Sequence, residues 1–271
     1  MPVEVRLDRV RHVLIDMDGV LYRGSEPIPR AREFLTQLRA RGIRFRLVTN
    51  NATLTPEMYR DKLAAMWIEV GADEVFTSAL ATALYLQRAG QAGTSAYVIG
   101  EIGLLTALAG IDVRVVESEP IWVIVGLDRN LTYEKLATAV LAINAGARFL
   151  GTNPDRSLPT ERGLLPGAGS ILAALTAATG VEPTVVGKPQ PLMLQLAAEA
   201  LGGAVSDTMM IGDRLDTDIA AAEAIGMPSI LVLTGVSTRE EAEGGSIRPG
   251  MVVDDLGELL ERWSPATVDG R

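Results

Sequence analysis

Asp16 and Asp18 close the apolar run Val13–Ile15 and stand one residue apart, with Gly19 directly after them. Residues i and i+2 of a strand point to the same side, so the two carboxylates converge, and Gly19 lets the chain turn at once. At about 4 Å two such charges repel by roughly 4 kcal/mol at an effective dielectric of 20. An arrangement of this kind calls for a cation, and Mg²⁺, held by few carboxylates plus water and substrate phosphate, is the natural one. Taken alone, Asp-x-Asp-Gly also describes two solvated aspartates at a turn.

Three further segments end apolar runs in polar groups. Arg46–Val48 leads into Thr49, Asn50 and Asn51, whose hydroxyl and backbone N–H groups suit a phosphoryl oxygen and equally suit a turn or helix cap. Val185-Val186-Gly187 leads into Lys188, one of only three Lys among 25 basic residues, and Pro189 is placed to begin a helix. This is not a Walker loop, because Glu182 stands where that motif needs Gly and Pro189 where it needs Ser or Thr. Met209-Met210-Ile211-Gly212 leads into Asp213, with Asp216 and Asp218 in the following turn. Capping and the helix dipole account for those last two without any chemistry, whereas Asp213 sits at the strand end itself. Ligands of open parallel sheets bind outside the carboxyl ends of the strands, so the four payloads are expected in one crevice. Carboxylates for a metal, a hydroxyl and a Lys for a dianion, and one carboxylate free to attack make a site for phosphoryl transfer.

The elements that must position these groups follow from the hydrophobic pattern. Short Val/Ile/Leu runs (12–16, 43–48, 96–99, 121–125, 184–186, 208–211, 229–233) alternate with helical periods (30–41, 56–66, 101–109, 133–145, 192–201, 215–225). Repeated strand–helix–strand of this kind predicts an α/β fold, a doubly wound parallel sheet covered by helices on both faces. The acid-rich motifs fall only before residue 60 or after residue 185, and Gly90–Gly93 and Gly180–Pro183 are turn-rich. Residues 79–182 are therefore expected to be an inserted second α/β domain, with 1–78 and 183–271 joined in a discontinuous core.

Composition narrows the chemistry. The 271 residues carry a net charge of −9, one His and no Cys, which removes disulfides, thiolate zinc sites, Cys nucleophiles and multi-His cages. A net anion without a basic stripe argues against nucleic acid and anionic membranes as partners. The longest uncharged stretch, 163–181, holds only about eleven residues of helical character, short of a membrane span. The N-terminal MPVEVRLDRV lacks an apolar signal region, so a cytoplasmic location is expected.

The ordered set Asp16-x-Asp18-Gly-Val-Leu, Thr49-Asn-Asn, Gly-Lys188-Pro and Gly-Asp213-Arg-Leu-x-Thr-Asp218-Ile resembles the haloacid dehalogenase-like (HAD) phosphatases. Leu21-Tyr-Arg-Gly24, the large late insertion and Gly151-Thr-Asn-Pro-Asp155 resemble the NagD-like, para-nitrophenyl-phosphatase-like branch. The resemblance implies that Asp16 attacks phosphorus to form an aspartyl-phosphate and that Asp18 serves as acid and then base. It implies that Thr49, Asn50 and Lys188 hold the phosphoryl group. Mg²⁺ would be bound by Asp16, the Asp18 carbonyl and Asp213, with Asp218 supporting that shell. The insertion would be a cap that closes over the site, and Asn153 and Asp155 would touch the substrate or position what does. A Gly-Thr-Asn-Pro-Asp turn that merely closes the cap is the competing reading of those two residues. The implied partner is a small phosphorylated metabolite, and a homodimer is compatible with the branch. A phospho-accepting receiver, usually about half this length, and a catalytically silent binding member stand as alternatives.

Overall fold

The computed structural model describes residues 3–160 and 162–263; the outer limits of the expected core, 1 and 271, lie outside the described residues. In chain order the elements are β1 (His12–Asp16), β2 (Tyr22–Arg23), β3 (Glu26–Pro27), α1 (Ala31–Ala40), β4 (Arg44–Thr49), α2 (Pro56–Ala65), β5 (Val75–Thr77) and α3 (Ser78–Arg88). There follow β6 (Ser95–Ile99), α4 (Ile102–Ala109), β7 (Arg114–Val115), β8 (Trp122–Val125), α5 (Tyr133–Asn144), β9 (Arg148–Gly151), β10 (Ser157–Thr160), β11 (Gly163–Pro166) and α6 (Ala168–Thr179). The chain continues through β12 (Thr184–Val185), α7 (Leu192–Ala200), β13 (Thr208–Gly212), α8 (Ala220–Glu223), β14 (Ser229–Val232), α9 (Arg239–Gly244), β15 (Met251–Val253) and α10 (Leu256–Trp263). Among the described residues no helix is long and apolar enough to cross a membrane.

Two compact units divide the chain: Met1–Leu47 with Leu63–Val70 and Ala198–Arg271, and Val48–Lys62 with Gly71–Ala197. In the first unit the strands run in the order β15-β14-β13-β1-β4. Val13, Leu14, Ile15, Met209, Met210, Ile211, Ile230 and Leu231 are wholly buried, as the near-continuous apolar runs of a sheet covered on both faces require. The parallel register pairs Ile15 with Ile211, so Asp16 is level with Gly212 and one step short of Asp213. α10 buries Leu256, Leu259, Leu260 and Trp263, one helical stripe, and Trp263 lies 6.2 Å from the ring of Phe34 on α1.

In the second unit a parallel sheet runs β12-β9-β8-β6-β7. Tyr97, Ile99, Val123, Val125 and Phe149 form one apolar face and pack with Ile171, Leu172 and Leu175 of α6. Three local expectations are revised. Thr184 and Val185 pair with Leu150 and Gly151, so the strand before Lys188 belongs to this second sheet and not to the sheet that carries Asp16. Pro189 does not begin a helix: the Lys188–Pro189 bond is cis, and α7 starts at Leu192 after Pro191. The helix expected over 215–225 is a π-helical turn, Leu215–Ile219, followed by the short α8. The antiparallel hairpin β10–β11 is an element the strand–helix alternation does not announce.

Candidate active site

Asp16 is the last residue of β1, and Asp213 is the first residue past β13. Both stand at the carboxyl edge of the first sheet, each following a wholly buried apolar run, Val13–Ile15 and Met209–Ile211. Asp16, Asp213 and Asp218 each offer a carboxylate oxygen, and these oxygens all lie within 4.8 Å of one another. Asp213 is 2% exposed and Asp218 1% exposed. Each pair of such charges repels by about 3.5 kcal/mol at an effective dielectric of ~20, a cost that a divalent cation reverses. Hard carboxylate oxygens at this spacing fit Mg²⁺ or a similar oxygen-loving ion.

Local backbone chemistry holds the cluster in place. Asp218 Oδ2 accepts the Arg214 N–H at 3.2 Å, inside the π-helical turn that brings Asp218 back toward the strand end. Single π turns of this kind occur often at functional sites. Asp213 Oδ2 accepts the Val236 N–H at 2.8 Å, and the Asp213 carbonyl accepts the Ser237 N–H at 3.0 Å. Gly235 leaves the room this requires, since a Cβ there would lie 1.9 Å from Asp213 Oδ2. Gly19, at φ +85°, makes the expected sharp turn, and its carbonyl accepts the Thr234 hydroxyl at 2.6 Å. Asp18 is exposed beside this turn and forms an isolated bridge with Tyr22. Asp216 lies outside the cluster, paired with Arg214 at 2.9 Å.

The second unit gathers the remaining candidates. Thr49 Oγ1 accepts the Asn51 N–H at 3.2 Å. The Asn50 side-chain amide donates to both Asp155 oxygens, at 3.1 and 3.2 Å, and to the Lys188 carbonyl at 2.8 Å. The Asn50 carbonyl in turn accepts Asn153 Nδ2 at 2.7 Å and the Ser78 hydroxyl. Asn153, 4% exposed, thus divides its amide between the Asn50 carbonyl and the Thr152 hydroxyl, and Lys188, 2% exposed, is held on the same loop cluster. Asp155 and Asn153 act here as clamps on the Thr49–Asn51 loop.

Sequence reasoning missed Ser78 and the segment Thr234–Ser237, which supplies the Val236 N–H and accepts, through Ser237 Oγ, the Leu215 N–H at 3.0 Å. A signal was present: Thr-Gly-Val-Ser follows the apolar run 229–233, the same pattern of a buried strand with a polar payload at its end.

A family profile described as haloacid dehalogenase-like hydrolase matches residues 13–114, and a second HAD-hydrolase-like profile matches residues 185–259. An acid sugar phosphatase of Staphylococcus aureus is 44% identical over 248 residues, covering 91% of this chain and 95% of the relative. The chain belongs to the haloacid dehalogenase-like hydrolases. NagD from Escherichia coli K-12 superposes with a TM-score of 0.87 at 33% identity, covering 92% of this chain and 98% of NagD. A 4-nitrophenylphosphatase from Thermotoga maritima superposes with a TM-score of 0.91 at 35% identity, covering 95% of this chain and 99% of its own. These likenesses place the HAD hydrolase in the NagD-like branch, and it is a phosphatase.

Proposed function

We propose that this HAD phosphatase hydrolyses small-molecule phosphate monoesters, sugar phosphates among them, through a phosphorylated Asp16 and with Mg²⁺ held by Asp16, the Asp18 carbonyl and Asp213, Asp218 supporting that shell. The observation that carries the reading is the gathering of Asp16, half-buried, with Asp213 and Asp218, both buried, so that their carboxylate oxygens lie within 4.8 Å of one another at the end of β1, with Asp18 two residues on. When bound, the cation neutralises charge on the phosphoryl oxygens and on the carboxylates around it.

The protein's own groups do the rest. An Asp16 oxygen attacks phosphorus and the ester oxygen leaves, taking a proton from Asp18, whose exposure allows it to reach solvent and substrate. Asp18, now a carboxylate, takes a proton from the water that attacks the aspartyl-phosphate, releasing inorganic phosphate and restoring Asp16. Thr49 through its hydroxyl and Asn50 through its backbone N–H bind phosphoryl oxygens, Lys188 offsets their charge, and Asn153 and Asp155 keep the loop in shape. Residues 79–182, whose sheet β12 joins, act as a cap domain inserted in the discontinuous core formed by 1–78 and the rest of 183–271, and the enzyme works in the cytoplasm.

The support for sugar phosphates is the S. aureus relative's name, and for aryl phosphates that of the T. maritima structure. The deciding experiment is steady-state turnover of p-nitrophenyl phosphate with Mg²⁺, then with excess EDTA, then with Mg²⁺ restored. Sustained turnover that stops and returns is expected. A single stoichiometric burst would indicate a phospho-accepting module, no turnover a silent member, and full rate in EDTA would remove the cation from the scheme.

A further inference from the structure

Asp18 stands in a turn whose inner side is anchored by burial. The Met17 carbonyl accepts the Leu21 N–H at 2.9 Å and the Tyr22 N–H at 3.3 Å, and Met17, Val20 and Leu21 are wholly buried. The turn runs on into the β2–β3 hairpin, where Tyr22 pairs with Pro27 and Arg23 with Glu26. On the outer side, where Asp18 is exposed, a distant part of the chain holds it. Thr234, two residues past β14, donates its hydroxyl to the Gly19 carbonyl at 2.6 Å, and its own carbonyl accepts the Arg23 guanidinium. One residue thus grips the chain both at the turn and at the first strand of the hairpin.

Gly19 is where such a grip matters most. It follows Asp18 directly, lies at φ +85° and has the least hindered backbone of any residue type. Its N–H donates to the Tyr22 carbonyl at 2.8 Å, which fixes the peptide plane shared with Asp18. The Thr234 hydroxyl fixes the plane on the other side. With both planes held, the direction in which the Asp18 side chain leaves the backbone is held as well.

The same short segment reaches Asp213. The Val236 N–H donates to Asp213 Oδ2 at 2.8 Å, and Cβ atoms on Gly19 and Gly235 would lie 2.4 and 1.9 Å from that oxygen. Asp213 Oδ2 therefore packs between the Asp18 turn and the segment that carries Thr234. Residues 234–236 set the exposed carboxylate and the buried one at a fixed separation.

We propose that Thr234 is a positioning residue for Asp18, its two hydrogen bonds holding the Asp18 turn against the Asp213 loop so that the carboxyl meets the leaving oxygen. This rests on the phosphatase function above. The test is kcat/KM for phenyl phosphate against p-nitrophenyl phosphate. The two esters have nearly the same shape, but phenolate is the more basic leaving group and depends more on a proton from Asp18. Thr234→Val removes the hydroxyl with little change of shape, and the phenyl-to-nitrophenyl ratio is expected to fall about fivefold or more. Thr234→Ser keeps the donor and is expected to hold the ratio within about twofold of the wild type. In an Asp18→Asn background, with no acid left to position, Thr234→Val should move the ratio less than about twofold. Equal losses on both esters in Thr234→Val, or a wild-type ratio, overturn the proposal. Should Thr234→Val fold poorly, Arg23→Met breaks the other bond from an exposed side chain, and an unchanged ratio there overturns it equally.

Failure of the underlying reading looks different. Wild-type protein that turns over neither ester defeats the phosphatase function, and Asp18→Asn protein with a wild-type ratio defeats the acid assignment. In both cases amide hydrogen exchange on metal-free protein still tests the grip. The Gly19–Arg23 amides are expected to exchange about tenfold faster in Thr234→Val than in the wild type, and unchanged exchange overturns the proposal.

Discussion

Two carboxyl edges of two parallel sheets handle charge in opposite ways. At the first, Asp16, Asp213 and Asp218 bring like charges within 4.8 Å. At the second, Glu101 and Asp128 face Arg129 and Lys135, and every carboxylate meets a cation from its own unit. The same topology thus yields an edge that gathers three carboxylates at one point and an edge that pairs each carboxylate with a cation. The first arrangement suits reaction, where charge develops and must be met by groups already in place. The second suits support, where charges matched within the protein tie one loop to the next.

Breaking the first edge is expected to have the larger consequences. Asp16→Asn removes the attacking oxygen at nearly constant volume, and turnover of p-nitrophenyl phosphate is expected to fall by ~10⁴-fold with thermal unfolding unchanged to within a few degrees. Near-wild-type turnover would displace Asp16 from its role. Gly235→Ala tests positioning without touching a carboxylate. Its new Cβ would lie 1.9 Å from Asp213 Oδ2, so Asp213 must move. A shift of about 1 Å at a reacting centre can cost ~10²-fold, and the loss should show in kcat together with weaker activation by Mg²⁺. A variant within threefold of wild type in both would mean that Asp213 is free to shift without consequence.

Breaking the second edge should register first as stability. Lys135→Met leaves Asp128 buried without its ammonium, and a loss of about 2 kcal/mol is expected, below the cost for a fully buried pair because the Lys135 side chain is 37% exposed. The double variant Asp128→Asn/Lys135→Met removes both charges and should recover most of that loss in denaturant titrations. If the double variant is no more stable than the single one, the pair is not what holds this loop.

How much of this was legible in the sequence differs between the same two edges. Asp16 and Asp213 announce themselves because each ends an apolar run, and burial of that run dictates where the carboxylate emerges. The seven expected strands and the helices α1, α2, α4, α5 and α7 follow from periodicity, whereas α3, α6, α9 and α10 are not among the expected helices. Lys188 carried the same signature, yet β12 pairs with β9, because an apolar run states that a strand is buried and not which sheet buries it. Asp218 could be read as a capping residue since nothing in 215–225 marks a π turn over an α turn. Glu101 and Arg129 are 28 residues apart on different loops, and no spacing rule pairs them. Asn153 and Asp155 looked equally fit for substrate contact and for closing a turn, and no sequence spacing announces their hydrogen bonds to Asn50.

The smallest effect expected is also the one that separates paired from gathered charge most directly. The guanidinium of Arg129 lowers the Glu101 carboxyl from its ordinary 4.5 in the folded protein. A carboxyl with a depressed folded value binds fewer protons folded than unfolded, so its contribution to stability is complete above the unfolded value. That contribution is lost as pH falls through the folded one. Glu101→Gln has no proton to exchange, so its unfolding free energy should decline less steeply than the wild type's on the acid side of pH 4.5. The two curves should run parallel, offset by a few tenths of a kcal/mol to about 1 kcal/mol, at neutral pH, the range usual for a solvent-facing pair. Salt should shrink that offset, because Arg129 is 64% exposed at its side chain and screening reaches it. Chemical denaturation of both proteins from neutral pH down to about 3, at low and high ionic strength, measures the difference. Acid slopes that coincide would show that the Glu101–Arg129 pair forms equally well in the unfolded chain, and the second edge would then owe its shape to Asp128 and Lys135 alone.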